Sequence, residues 1–94
     1  MIIVMEKNLI PQQVSGFKIE IFDDEVLLYH QVKTRAVYLN KTAAVIWALC
    51  DGKNSIAEME DLLKKIYPET KNSIPEDINS TLKQLSEIGA IELK

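Results

Sequence analysis

The chain has 94 residues, 47% of them hydrophobic and 27% charged, with 14 acids against 11 bases and a formal charge of −3. That length suits one domain, which at this size buries roughly 60–70% of its unfolded surface. One cysteine, Cys50, and one histidine, His30, exclude an internal disulfide and a Cys/His zinc cluster, and the scattered bases make a poor grip for nucleic acid.

The apolar start Met1-Ile2-Ile3-Val4-Met5 stops at Glu6 without a basic flank, unlike a secretory signal. No apolar run approaches the roughly 20 residues of a membrane span. A cytoplasmic protein that touches neither membrane nor nucleic acid is expected. Residues 1–15 carry no clear period, and Pro11-Gln12-Gln13 reads as a leader into the fold, so residues 1–16 are assigned as a leader segment and 17–94 as the domain.

From Phe17 the pattern alternates, with Phe17, Ile19 and Ile21 on one face and Lys18 and Glu20 on the other. Period 2 predicts a strand. Asp23-Asp24 supplies a turn, Glu25 to Val32 a second strand, and Arg35 to Leu39 a short third, with Val37 and Leu39 on one face. Three short runs joined by tight turns predict an antiparallel meander.

The period then becomes helical. Asn40 is the expected N-cap of a helix over 42–50, closed by Gly52. Ser55-Ile56-Ala57-Glu58 matches a capping box and opens a second helix with Ile56, Met59, Leu62 or Leu63, and Ile66 at helical spacing; Pro68 ends it. Ser73-Ile74-Pro75-Glu76 matches a further capping box. The helix behind it carries Ile74, Ile78, Leu82 and Leu85 in one stripe and stops at Gly89, before a closing strand Ile91-Glu92-Leu93. Strands followed by helices predict an α+β domain: a three-stranded antiparallel meander, then three helices, in a winged-helix-like shape.

No residue pattern here promises catalysis. Cys50 lies at the C-terminal end of its predicted helix beside Asp51, and both features disfavour a thiolate. His30 is tied to no nucleophile by any motif, and Asp23-Asp24 and Glu76-Asp77 serve a turn and a helix start. There is no phosphate loop and no metal-ligand cluster. Trp47, the single tryptophan, is expected in the core.

Two binding roles remain to be weighed. A winged-helix regulator would put its late helix in DNA, but in that helix Lys83 alone faces Glu76, Asp77 and Glu87. The meander instead has two edges with unpaired backbone groups, and the third strand is one candidate to accept an extended peptide. Lys33 and Arg35 would serve equally to protect such an edge.

The block Leu39-Asn40-Lys41-Thr42-Ala43-Ala44 joined to Leu49-Cys50-Asp51-Gly52 resembles the PqqD family of pyrroloquinoline-quinone biosynthesis. The likeness continues through Ser55-Ile56, Tyr67-Pro68, Asp77-Ile78, Leu82, Leu85, Gly89 and Ile91, and spans roughly residues 17–93. It implies a peptide chaperone, or RiPP recognition element, without chemistry or cofactor of its own. Such a domain binds the leader of a ribosomally made precursor peptide and presents it to a modifying enzyme, often a radical SAM protein. Carried onto this chain, the leader would add as a strand along Lys33, Thr34, Arg35, Ala36, Val37 and Tyr38, with Asp77, Thr81, Gln84 and Ile88 lining the cleft. Helical geometry suggests that flank and leaves the opposite one open. Thr81 stands where many relatives carry a larger apolar residue, which implies a shallower or more polar groove.

Overall fold

The computed structural model describes residues 6–94, so the apolar start at 1–5 lies outside the described residues. Its strands are β1 (Pro11–Gln13), β2 (Phe17–Phe22), β3 (Glu25–His30), β4 (Ala36–Leu39) and β5 (Ile91–Leu93); its helices are α1 (Lys41–Leu49), α2 (Ile56–Ile66) and α3 (Ile74–Glu87). The expected architecture is present: an antiparallel meander β2-β3-β4 followed by helices, in an α+β arrangement.

The meander turns at Asp23, whose φ of 51° is a conformation that aspartate tolerates better than most residues. Its inner face sets Ile19, Leu28 and Val37 in one row and Ile21, Val26 and Leu39 in the next. Leu28, Val26 and Leu39 are buried with Ile46 and Trp47 of α1 and with Ile74, Ile78, Leu82 and Leu85 of α3. Ile21 shares the inner face but is 72% exposed, because β2 is the outermost strand and its far end lies beyond that cover.

Helix starts follow the sequence in two cases of three. The Asn40 side chain accepts from the Ala43 N–H at 2.8 Å, and Ser55 and Glu58 make both bonds of a capping box. The expected box at Ser73 does not form. Its backbone is already helical (φ −94°, ψ −10°), continuing from the 3₁₀ turn Pro68–Thr70, so its hydroxyl donates to the Thr70 carbonyl at 3.0 Å and the Asp77 carboxylate at 3.3 Å and accepts from no N–H of the helix start.

In α2, Leu63 rather than Leu62 takes the core position, and Leu62 and Ile66 are exposed. Glu60 is buried there and answered by Lys7 at 3.1 Å and Lys64 at 3.7 Å.

The segment expected to lead into the fold contains a strand of it. Pro11–Gln13 pairs antiparallel with β5, Pro11 opposite Leu93 and Gln13 opposite Ile91, and Gln13 Nε2 donates to the Trp47 carbonyl at 2.9 Å. Two of its three residues are glutamine and the third is proline, so no local pattern announces it; the pairing comes from distant chain.

Candidate functional site

The sheet ends on one side at β4, four residues long, which bonds only to β3 among the described residues. The direction of each backbone group follows from the register. The His30 N–H donates to the Arg35 carbonyl at 3.0 Å, and in an antiparallel pair such bonds recur at every second residue. Counting along the register, Val37 bonds Leu28 and Leu39 bonds Val26, while Ala36 and Tyr38 face Tyr29 and Leu27 without bonding them. Ala36 and Tyr38 therefore turn their N–H and C=O groups outward to the open edge. Their side chains lie on the outer face, Tyr38 at 63% exposure.

Helix α3 lies close to both ends of this strand. At the entry, Arg35 Nη1 donates to the carbonyl of Ile88, the C-cap of α3, at 2.9 Å. At the exit, Asn40 and Thr42 line a small open pocket of about 90 Å³ together with Asp77, Ser80 and Thr81 of α3. Asp77, Thr81 and Ile88 belong to the flank beside the core stripe, and it is this flank that meets the two ends of β4. Thr81 is only 7% exposed. A short side chain at that position leaves the pocket open, where a larger apolar one would occupy it. Gln84, on the same stripe, is exposed.

The remaining sequence-predicted residues lie before the strand. Lys33 and Thr34 are exposed in the turn between β3 and β4, and Arg35 stands just outside β4 because its N–H bonds the Lys33 carbonyl at 2.8 Å. That turn is organised by His30, whose role the sequence does not show. Its Nδ1 accepts from Val32 N–H at 3.0 Å and Lys33 N–H at 2.9 Å, while Phe17 packs edge-on against the ring. The strand predicted to reach Val32 consequently ends at His30, and Val32 faces solvent.

Asn40, Thr42 and Ser80 are the other residues that sequence reasoning passed over. The only signal was the proximity of Asn40 to the third strand, and its capping role accounted for it fully.

Cys50 is buried, and its thiol is pushed up to about 12, first by burial and then by the neighbouring Asp51 charge. Its Sγ sits 3.2 Å from the Ile46 carbonyl, within the helix itself. Nothing in this arrangement activates it as a nucleophile. Among the described residues, no cluster of three His, Cys, Asp or Glu side chains is placed to hold a metal, and no helix is long and apolar enough to cross a membrane.

A family model described as Coenzyme PQQ synthesis protein D (PqqD) matches residues 25–91, from the start of β3 into β5. No curated protein and no solved structure matches the chain.

Proposed function

The chain belongs to the PqqD family, and on that premise we propose that it is a non-catalytic accessory of peptide maturation, working in the cytoplasm. It binds the leader of a ribosomally made precursor as an added strand on β4 and presents the peptide to a modifying enzyme, a radical SAM protein being the class the family resemblance implies. The observation that carries this reading is the outward direction of the Ala36 and Tyr38 backbone groups along a strand whose two ends are flanked by α3. Strand addition takes its affinity from main-chain hydrogen bonds, and side-chain pockets choose the sequence.

In this reading the leader backbone bonds Ala36 and Tyr38, and one of its side chains enters the pocket of Asn40, Thr42, Asp77, Ser80 and Thr81. The pocket is lined by hydroxyls, an amide and one carboxylate, so it suits a polar or basic side chain. Lys33, Thr34 and Arg35 shape the entrance together with Ile88, which Arg35 meets there, and Gln84 lies on the same flank of α3 between Ile88 and Thr81. The acids of α3 argue against a DNA-reading role, because a duplex repels a helix with Glu76, Asp77 and Glu87 against Lys83.

The test is a search of the neighbouring genes for a short precursor reading frame and a titration of the labelled protein with the synthetic leader it encodes, followed by amide shifts. Shifts gathered in residues 33–38 and 77–88 are expected. Shifts confined to the surface around Leu62 and Ile66 would overturn the assignment of the edge.

A further inference from the structure

The other edge of the sheet, β2, has a pattern of its own, and it lies outside the stretch matched by the family model. The Gln31 N–H donates to the Gly16 carbonyl at 3.1 Å, which fixes the alternation along this strand. Lys18, Glu20 and Phe22 bond β3, and Phe17, Ile19 and Ile21 turn their N–H and C=O groups to a side that no strand covers among the described residues. Ile19 and Ile21 are 37% and 72% exposed. A six-residue edge strand carrying apolar side chains invites pairing with another strand.

The charges identify which strand. Lys18 and Glu20 are exposed and flank Ile19 symmetrically on the outer face. When a second β2 pairs antiparallel with Ile19 opposite Ile19, Lys18 of each copy stands opposite Glu20 of the other. In the same register Phe17 stands opposite Ile21 on the inner face. This register also brings together Phe17, Ile19 and Ile21 of both copies, the residues whose backbone groups point outward. Moving the two-fold axis by one residue puts Lys18 against Lys18 or Glu20 against Glu20, which is destabilising.

We propose that β2 is the docking edge for a second copy of this chain, paired antiparallel about Ile19, so that two three-stranded sheets become one continuous sheet. The interface is isologous, as closed two-fold assemblies require. Tyr29 already donates to Glu20 Oε1 at 3.3 Å, and the other carboxylate oxygen remains to meet Lys18 of the second copy. Both β4 edges stay at the outer ends of the joined sheet, so this pairing is independent of what β4 binds.

Charge exchange tests the register. Sedimentation equilibrium of the full chain up to millimolar concentration is expected to show a monomer–dimer equilibrium. Lys18→Glu and Glu20→Lys, each alone, set like charges opposite one another twice per dimer and should weaken association by about tenfold or more. Mixing the two variants should restore it, because each then meets its complement, and the double variant Lys18→Glu/Glu20→Lys should dimerise like the parent. Both positions are exposed, and circular dichroism checks that the fold is retained. A parent that stays monomeric throughout the range would overturn the proposal. So would single variants that associate as well as the parent, or a mixture that does not recover.

Discussion

Arg35 and Ile88 are 53 residues apart in sequence and joined by a hydrogen bond of 2.9 Å, the guanidinium of one donating to the carbonyl that ends α3. The last turn of α3 has no basic residue of its own, and the negative end of its dipole is met from the sheet instead. Gly89 makes room for this contact. A Cβ at that position would lie 2.9 Å from Arg35 Nη1, and the φ of +73° already favours glycine.

Removing the guanidinium with Arg35→Ala is expected to cost about 0.5–1 kcal/mol, since the contact is exposed. Gly89→Ala should cost about 1 kcal/mol or more by backbone strain and crowding. Urea denaturation midpoints check both. An Arg35→Ala variant with unchanged stability would show that the bond does not persist in solution.

Proline exchange separates the two faces of β4. Ala36→Pro removes an N–H that makes no ladder bond, so the fold should survive, while peptide affinity falls about tenfold or more. Val37→Pro removes an N–H that bonds β3 and should destabilise the domain by about 3 kcal/mol. Calorimetry of peptide binding beside thermal melts distinguishes the variants. A well-folded Ala36→Pro protein that binds leader as tightly as the parent would remove β4 from the binding site.

Much of this geometry was legible beforehand. The α3 stripe, the Asn40 cap and the Ser55 box rest on spacing within one or two turns, and such local patterns are written in the chain. The direction of Ala36 and Tyr38 was not, because a strand alternates whichever residue comes first and only pairing with β3 decides the phase. The role of His30 was hidden for a related reason: its Nδ1 bonds depend on how the turn bends. β1 was missed because its two glutamines and one proline carry no period, and Ser73 was overread because its motif ignores the turn that runs into it.

The two serine motifs give a paired test. Ser55→Ala removes a cap that accepts from the Glu58 N–H at 3.2 Å and should cost about 1 kcal/mol. Ser73→Ala removes no cap and should cost a few tenths of that at most. The Glu58 carboxyl is held below its ordinary range by the Ser55 backbone N–H and then by the Ser55 side chain. A lowered folded value means this contribution is present above the unfolded value and is lost as pH falls through the folded one. Melts of the parent and Glu58→Ala across acidic pH should therefore converge as Glu58 protonates, and parallel curves would show that the Ser55 N–H bond to that carboxylate does not persist in solution.

Cys50 gives a prediction at the other end of the pH scale. With its thiol raised from 9.0 to about 12, the folded protein should resist alkylation by iodoacetamide at pH 8, and urea should release the reaction. Because the folded value is the higher one, the contribution to stability is full below the unfolded value and drains away as pH climbs toward about 12. Rapid modification of the native protein would mean that the α1 terminus opens far more readily than its burial implies.

The pairing of Pro11 with Leu93 joins segments from near the two ends of the chain. Closing so long a loop costs entropy before any bond repays it, so this contact belongs late on the folding path, after the local hairpins and helices. Its opening also has to break the bonds of the Gln13 N–H to the Cys50 carbonyl at 2.9 Å and of the Gly52 N–H to the Pro11 carbonyl at 3.0 Å. Breathing of β1 from β5 would release the Gln13 side chain from the Trp47 carbonyl and leave the β3–β4 pairing intact. Hydrogen exchange should then find the amides of the β1–β5 pair exchanging before those that bond β3 to β4: the contact that closes the domain last is the first to be lent back to solvent.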